Sequence, residues 1–379
     1  MASVIIKTVE RCNIDCTYCY FFNKKDKSYL KHPPYIKRET IDQIVSFLSK
    51  GCLDLKVSDL HVIFHGGEPL MQKKDDFDYM CSKIEEHVKI KDLTFSMQTN
   101  LLLIDEAWLQ LLNKHNVSVS VSIDGPKVIH DKFRIDKRGR GTFDKTIEKL
   151  NYFLQERGPG SVSILSVANP NYPPEMVFDF FYNELEIKQF DFLVPDAHHD
   201  DYPELPIKEY GDFYIRLFKK IIHEDSQVRI RFINNIVQSF FGKSSLMYGQ
   251  GEHPDNMIHP ITISSNGDLA PVDDLRNCNP EFMRLNQNVG SVSYQAFLQN
   301  SIFRMIERSS QTIPELCQTC IWSKICRGGN IIHRYSSDKI FENPSVYCDA
   351  LKNIYGVVAS QLIKDGYPFS KMQELLNSN

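Results

Sequence analysis

Short runs of apolar, β-branched residues alternate with longer amphipathic stretches over the first half of the chain. A period of two predicts half-buried strands, and apolar residues every three or four positions predict helices. The predicted strands are Ser3–Val9, Leu60–Phe64, Leu93–Gln98, Val117–Ile123, Val162–Val167 and Phe190–Val194. The predicted helices include Glu39–Ser49, Phe77–Val88, Glu106–Asn113 and Thr142–Gln155. Regular alternation of strand and helix predicts a parallel sheet with right-handed crossovers.

Six strand–helix units are fewer than the eight that close a barrel, so the sequence predicts an α/β fold, a partial (β/α)6 TIM-like barrel. In such barrels the chemistry lies at the carboxyl ends of the strands. The alternation stops near residue 240, and residues 241–260 are rich in Gly, Ser and Pro. Asn266-Gly267 then predicts a hairpin turn. We expect a barrel domain over residues 1–240 and a cysteine-rich domain over 241–379.

Composition argues against several classes of protein. The net charge of −4 does not favour a nucleic-acid binder. No apolar run reaches the ~20 residues that span a membrane, and the first residues have neither the basic region nor the cleavage site of a signal peptide. We therefore expect a cytoplasmic protein with no nucleic-acid or membrane partner. In a reducing compartment, ten cysteines that cluster along the chain indicate metal binding or redox chemistry rather than disulfides.

Three cysteines directly follow the first predicted strand with the spacing C-x3-C-x2-C, at Cys12, Cys16 and Cys19. Three thiolates are one fewer than the four that saturate a four-iron cluster, so one iron would stay open to a second molecule. A structural zinc site would require a fourth protein ligand, and His32 is a poor candidate. The triplet, with Tyr18 before its last cysteine, resembles the radical S-adenosylmethionine (radical SAM) superfamily. The resemblance implies a [4Fe–4S] cluster whose open iron binds S-adenosyl-L-methionine, and a radical that removes hydrogen from a substrate.

Other residues lie where this resemblance places cofactor contacts. His65-Gly66-Gly67-Glu68-Pro69 follows the second predicted strand and looks like the family motif that holds the methionyl amine, with glycines that permit close backbone approach. Ser122 resembles the ribose contact, and Arg134 resembles the arginine that pairs with the methionyl carboxylate, a task suited to a guanidinium. Further candidates for the cofactor cavity are Tyr18, Gln98 and Val194. The alternative for Tyr18 and Val194 is that they are ordinary residues of the hydrophobic core and do not contact the cofactor.

A second group of cysteines lies in the last quarter of the chain, in a region that the sequence predicts to be mostly loops. Its members are Cys317, Cys320, Cys326 and Cys348. Spacing alone allows either zinc or an iron–sulfur cluster. The segment resembles the SPASM extension of radical SAM enzymes that modify peptides, in which these positions bind an auxiliary [4Fe–4S] cluster. The full extension has seven cysteines, but Asn330 stands at one expected position and only Cys278 precedes Gly290 in the domain, so we expect one complete auxiliary cluster.

The segments around the last cysteine resemble a narrower group. His333-Arg334-Tyr335-Ser336 and Asn343-Pro344-Ser345-Val346-Tyr347-Cys348 look like the tail of maturases that form cyclophanes, joining an aromatic ring to a β-carbon in a ribosomal peptide. The resemblance implies a precursor peptide as substrate and an electron donor such as flavodoxin or ferredoxin. Restoring aromaticity requires the loss of an electron, for which the auxiliary cluster is a candidate acceptor; a purely structural role for the cluster is the alternative. Restoring aromaticity also requires a base, for which Asp273 and Asp274 are candidates. The alternative is that both residues simply lie in a solvent-exposed acidic turn.

Other reactions stay open within the resemblance. They are thioether formation, epimerisation, and formylglycine formation in a sulfatase, the last disfavoured by the incomplete set of seven cysteines. A protein that holds iron–sulfur clusters or zinc without catalysis is the alternative from a different class. Cys52 and Cys81 lie in helical patterns, and we expect both to be buried core residues.

Overall fold

A computed structural model of the chain describes residues 1–158, 160–224, 228, 230–243 and 259–377. The chain divides into two compact units, each built from two stretches of sequence. The first unit comprises Met1–Ile164 and Asn256–Arg304, and the second comprises Leu165–Asp255 and Met305–Asn379. Most of the predicted Gly-, Ser- and Pro-rich segment lies outside the described residues. The predicted domain boundary near residue 240 stays a prediction.

The six strands predicted from alternation are all present, with ends within two residues of the prediction. The strands are β1 (Ala2–Val9), β2 (Asp59–Gly66), β3 (Asp92–Thr99), β4 (Ser118–Ser122), β5 (Val162–Val167), β6 (Phe190–Leu193), β7 (Ile261–Ile263) and β8 (Leu269–Pro271). In the first unit β1 pairs in parallel with β2, β2 with β3 and β3 with β4. The hairpin β7–β8 joins the sheet because β7 pairs in parallel with β1. The hairpin turn at Gly267, with φ +88°, is confirmed.

Helices follow the strands as the alternation predicted. The longer helices are α1 (Arg38–Asp54), α2 (Lys74–His87), α3 (Glu106–Lys114), α4 (Lys127–Phe133), α5 (Phe143–Arg157), α6 (Ile207–His223), α7 (Arg231–Ser239), α8 (Ser301–Gln311), α9 (Cys348–Lys364) and α10 (Phe369–Asn377). Shorter helical segments are Tyr20–Asn23, Ser28–Leu30, Pro69–Met71, Pro174–Asp179, Phe180–Glu184, Asp273–Asn277, Pro280–Met283, Tyr294–Leu298, Glu315–Gln318, Ser323–Cys326 and Ile331–Arg334. Because α1, α2 and α3 each connect two neighbouring parallel strands, the sheet is built from crossover units.

The core of the first unit lies between the sheet and these helices. Val4 and Ile6 of β1 are fully buried, as are Ile41 and Leu48 of α1. Burying each such side chain contributes about 2 kcal/mol. Cys52 in α1 and Cys81 in α2 are 2% and 0% exposed, which confirms both as core residues. The carboxyl ends of β1 to β4 meet at one edge of the sheet, so the loops that follow them share one face.

Candidate active site

The loop that carries Cys12, Cys16 and Cys19 follows β1 and is fixed by backbone hydrogen bonds. The Asp15 N–H donates to the Ile135 carbonyl (2.8 Å) and the Thr17 N–H donates to the Phe133 carbonyl (2.9 Å). Burial raises the pKa of Cys12 to about 12 and that of Cys16 to about 11. Thiolates in this loop therefore require a compensating cation, which the iron of a cluster would supply.

Two glycines allow the end of β2 to lie directly against the start of the cysteine loop. The Gly67 N–H donates to the Val9 carbonyl (2.7 Å) and the Glu68 N–H donates to the Arg11 carbonyl (3.0 Å). A Cβ atom would lie 2.1 Å from the Val9 oxygen at Gly66 and 2.0 Å from the Arg11 oxygen at Gly67. The sequence predicted a close approach of these glycines to a ligand. The approach in the structure is to the backbone of the cysteine loop, and it places Glu68 beside that loop.

Glu68 is buried and is held by three donors. Its Oε1 accepts from the Thr99 hydroxyl (2.6 Å) and from the Leu70 N–H (3.0 Å), and its Oε2 accepts from the Asn100 N–H (2.8 Å). Burial raises the pKa of Glu68 to about 7, against the opposing effect of these hydrogen bonds. Since a carboxylate has about four acceptor positions, one remains for an ammonium group. The Asn100 amide also lies 3.8 Å from the Cys12 Sγ, which links Glu68 to the cysteine loop.

Arg134 forms a bidentate ion pair with Asp124, a residue that the sequence analysis did not identify. Its Nε donates to Asp124 Oδ2 (3.0 Å) and its Nη2 donates to Oδ1 (3.1 Å), while the Tyr18 hydroxyl donates to Oδ2 (2.5 Å). Burial alone would lower the pKa of Arg134, but Asp124 raises it overall. Arg134 Nη1 lies 3.9 Å from the Cys16 Sγ, so this side of the guanidinium remains for an anionic ligand near the cysteines.

Gln98 and Ser122 lie side by side at the ends of β3 and β4. The Gln98 amide donates to the Ser122 hydroxyl (2.7 Å), and both side chains are half-buried. Both residues lie at the same carboxyl edge of the sheet as the cysteine loop, which follows β1. Val194 directly follows β6 and is half-buried within the second unit. The predicted cofactor roles of all these residues remain predictions.

Asp273, one of the two predicted bases, lies in a buried network of charged and polar groups. Its carboxylate accepts from Arg276 Nη2 (2.7 Å), from the Tyr20 hydroxyl (2.6 Å) and from Lys7. Burial alone would raise the pKa of Asp273, but Arg276 and Lys7 lower it well below the usual range. Asp273 is 3% exposed, so the solvated-turn alternative is wrong for this residue, whereas Asp274 is half-buried. A carboxylate held by two cations is a weak base in this arrangement, and the base role stays a prediction for both residues.

The network continues beyond Asp273 to residues that the sequence analysis missed. Arg276 Nη1 donates to Asp26 Oδ2 (2.9 Å), and its guanidinium lies 4.3 Å from the centre of the Phe21 ring. Lys7 Nζ lies 3.1 Å from His65 Nδ1. Burial and the Lys7 cation lower the pKa of His65 to about 3, so the ring is neutral and accepts from lysine. Lys7 is the one charged residue of β1, but the sequence around it does not indicate its partners.

The second group of cysteines lines a single pocket within the second unit. The pocket has a volume of about 130 Å³. Its walls include Cys317, Cys320, Cys326, Cys348, Trp322 and Tyr355. Across the described ranges, no three His, Cys, Asp or Glu side chains converge on a position for one metal ion. The Asn330 side chain caps the helix Ile331–Arg334, because its Oδ1 accepts from the Ile332 N–H (3.1 Å). It therefore gives no indication of a second set of cluster ligands.

No helix in the described part of the chain is both long and apolar enough to cross a membrane.

Known proteins resemble the chain at both the sequence and the fold level. It is 25% identical to the cysteine-type anaerobic sulfatase-maturating enzyme of Clostridium perfringens, a match that covers 95% of this chain and 97% of that enzyme. It is 22% identical to the serine-type anaerobic sulfatase-maturating enzyme of Bacteroides thetaiotaomicron, with 88% and 83% covered. The solved structure "Native anSMEcpe with bound AdoMet and Kp18Cys peptide" superposes with a TM-score of 0.80 at 23% identity over 96% of this chain and 98% of that one.

The superposition confirms the predicted α/β fold with a partial barrel. The predicted cofactors, a [4Fe–4S] cluster with S-adenosyl-L-methionine and at least one auxiliary [4Fe–4S] cluster, agree with these matches. The model of the Radical SAM superfamily matches residues 6–181, which include the cysteine loop, Glu68 and Arg134. Residues 6–181 of this chain are therefore a domain of the Radical SAM superfamily.

Proposed function

We propose that this chain is a radical SAM enzyme that oxidises a side chain of a peptide or protein at its β-carbon. The observation that carries the proposal is the match to sulfatase-maturating enzymes, which extends over nearly the whole length of both chains. Bound S-adenosyl-L-methionine and its cluster would supply a radical that removes one hydrogen atom. The peptide bound to the solved relative supports a peptide substrate.

The residues at the carboxyl edge of the sheet would bind the cofactors as follows. Cys12, Cys16 and Cys19 would hold the cluster and leave one iron for the amino and carboxylate groups of the methionine. The remaining acceptor position of Glu68 suits the amino group, and the Nη1 side of Arg134 suits the carboxylate. The adjacent polar groups of Gln98 and Ser122 suit a ribose. Tyr18, within the cysteine loop, is fixed by the hydrogen bond from its hydroxyl to Asp124.

Formylglycine formation is the first candidate reaction. A cysteine or serine side chain would lose a hydrogen atom from its β-carbon, then one electron and one proton. Serine would thereby become an aldehyde directly, whereas cysteine would become a thioaldehyde that water hydrolyses to the aldehyde with release of hydrogen sulfide. Both types of sulfatase-maturating relative support this reaction, which the sequence analysis held only as an alternative. An oxidised auxiliary [4Fe–4S] cluster held by Cys317, Cys320, Cys326 and Cys348 would accept the electron, and a group near the substrate would accept the proton.

Crosslinking of an aromatic ring to a β-carbon is the second candidate. It begins with the same removal of a β-hydrogen, so the site is compatible with both reactions. Two observations favour it: Asn330 caps a helix where the full extension has a cysteine, and the tail around Cys348 resembles cyclophane-forming maturases. The comparisons give this reaction no support, and they favour the first candidate.

Mass spectrometry of a peptide product separates the two reactions. We expect the cluster-loaded enzyme, with S-adenosyl-L-methionine and dithionite, to convert the Kp18Cys peptide to an aldehyde in which oxygen replaces sulfur and two hydrogens are lost. The same peptide with serine at that position is the matched substrate, and a Cys16→Ala chain is the matched control. A loss of two hydrogens without an aldehyde, located between an aromatic residue and its second neighbour, would replace the first candidate with the second. Uptake of solvent deuterium at unchanged composition would contradict both.

A further inference from the structure

A buried arginine beside the C-terminal cysteine pocket lacks partners for most of its charge. Arg334 is 0% exposed and ends the short helix Ile331–Arg334. Its Nε donates to the Phe341 carbonyl (2.9 Å). Its Nη1 and Nη2 are buried and have no hydrogen-bond partner among the described residues. A buried guanidinium with two unpaired amino groups costs several kcal/mol unless an anion lies next to it.

Arg334 lies directly behind the wall of the pocket. Gly328 lines the pocket, and a Cβ atom at this glycine would lie 3.6 Å from the Arg334 Cδ. Glu342 contributes the largest favourable charge near the guanidinium, and Cys317 and Cys326 also interact with it electrostatically. Glu342 makes no hydrogen bond to Nη1 or Nη2, so these two amino groups remain open to a further anion. Four thiolates and the sulfides of an iron–sulfur cluster on the pocket side would supply it.

The two tail segments hold Arg334 in this position. The Asn343 amide donates to the Arg334 carbonyl (3.0 Å) and to the Ser336 hydroxyl (2.8 Å). The Val346 N–H donates to the His333 carbonyl (2.9 Å). The segments 333–336 and 343–348 thus form one local structure that fixes both the arginine and Cys348.

A second donor faces the same pocket from α9. The Tyr355 hydroxyl hydrogen-bonds the Cys326 thiol, and the tyrosine ring packs on Trp322 with centroids 5.7 Å apart. Hydrogen bonds and positive charge near the sulfurs raise the reduction potential of an iron–sulfur cluster, because reduction adds negative charge. Lys352 also lines the pocket and hydrogen-bonds Cys348, but its side chain is 49% exposed, so solvent and salt screen its charge.

We propose that Arg334 is the counter-cation of the auxiliary cluster and raises its reduction potential through its two unpaired amino groups. This inference rests on the auxiliary cluster of the proposed function, and not on which reaction the enzyme performs. Arg334 acts as a positioning and tuning residue, since it would contact the cluster and not the substrate. The charge of the side chain, rather than its packing, carries the effect.

The reduction potential of the auxiliary cluster tests this inference. The parent protein is the full chain with Cys12, Cys16 and Cys19 replaced by alanine, so that only the auxiliary cluster is reconstituted. In a redox titration followed by electron paramagnetic resonance, Arg334→Gln should lower the ratio of reduced to oxidised cluster at least about tenfold at a fixed potential, which is about 59 mV for one electron. Arg334→Lys should restore most of the shift. Arg308→Gln, which removes an exposed arginine from the second unit, is the matched control and should change nothing.

Each outcome of this experiment decides the inference. An unchanged potential in a cluster-loaded Arg334→Gln chain overturns it. If the Arg334→Gln chain binds no iron, the Arg334→Lys chain provides the test. Normal iron content and a normal reduction potential in the Arg334→Lys chain would support the need for a positive charge. Loss of iron in both variants would overturn the inference. If the parent chain itself binds no iron, the auxiliary cluster of the proposed function fails, and the inference fails with it, while cleavage of S-adenosyl-L-methionine by the native chain still tests the radical chemistry separately.

Discussion

Cys16→Ala will abolish the cleavage of S-adenosyl-L-methionine, with a loss of 5′-deoxyadenosine formation of at least about 1000-fold, because one missing ligand disables the whole cluster. The loop itself should stay in place, since backbone hydrogen bonds from Asp15 and Thr17 hold it without any contribution from the thiols. The variant therefore tests the chemistry of one sulfur atom and not the fold of the loop.

The measurement is chromatography of 5′-deoxyadenosine after anaerobic incubation of the reconstituted chain with the cofactor and dithionite. Cys52→Ala is the matched control, because it removes a buried thiol from α1 that lies outside both cysteine groups. This control should retain the activity of the native chain. Activity in the Cys16→Ala chain equal to that of the control would mean that the loop is not the cleavage site.

Lys7→Met will destabilise the protein by about 3 kcal/mol, because removing one member of a buried ion-pair network leaves its partner uncompensated. Lys7 is fully buried on β1 and contacts Asp273, His65 and the Phe21 ring, whose centre is 4.9 Å from Nζ. The loss lies at the lower end of the range for buried pairs because Arg276 and Tyr20 still donate to Asp273.

Scanning calorimetry of the cluster-loaded chain measures this effect as a melting temperature about 5 °C lower. Lys50→Met, which removes an exposed lysine from α1, is the matched control, and its melting temperature should equal that of the native chain. Lys7→Met combined with Asp273→Asn should lose less stability than the sum of the two single changes, because the two groups stabilise each other. Additive losses would show that Lys7 and Asp273 do not stabilise each other. A Lys7→Met chain that melts at the same temperature as the control would show that the buried lysine contributes no stability.

The sheet of this protein was predictable from the sequence because burial imposes a period on each strand. Alternation identified β1 to β6, but it marked only the apolar positions, so β2 runs two residues beyond its prediction to Gly66. Backbone pairing with β1 sets that end, and alternation carries no information about pairing. In the same way α1 continues five residues past Ser49, since Cys52 still belongs to its buried face.

The individual residues around the cysteines were predictable, but their connections were not. Gln98 and Ser122 were predicted separately for the cofactor cavity, and the structure joins them by a hydrogen bond. Arg134 was predicted as a ligand for a carboxylate, but its bidentate face already binds Asp124. A residue type indicates which partners a side chain accepts, whereas only the fold determines which of them is present.

The buried charges were missed because their partners are far apart in sequence. Lys7 is separated from Asp273 by 266 positions, and Arg276 from Asp26 by 250. No local pattern connects such residues, and each by itself reads as a solvated charge. Arg334 was noticed only as part of a tail segment, since the lack of partners for its guanidinium becomes visible only when its surroundings are known.

The proposed chemistry depends on a cluster that Cys12, Cys16 and Cys19 hold with one iron open to S-adenosyl-L-methionine. Electron paramagnetic resonance of the reduced, cluster-loaded native chain, with and without the cofactor, is the direct test of this open iron. We expect the cofactor to change the spectrum of the native chain and to leave unchanged the spectrum of the chain with these three cysteines replaced by alanine. A native spectrum that does not respond to the cofactor, or zinc in place of iron at the three cysteines, would rule out the open iron.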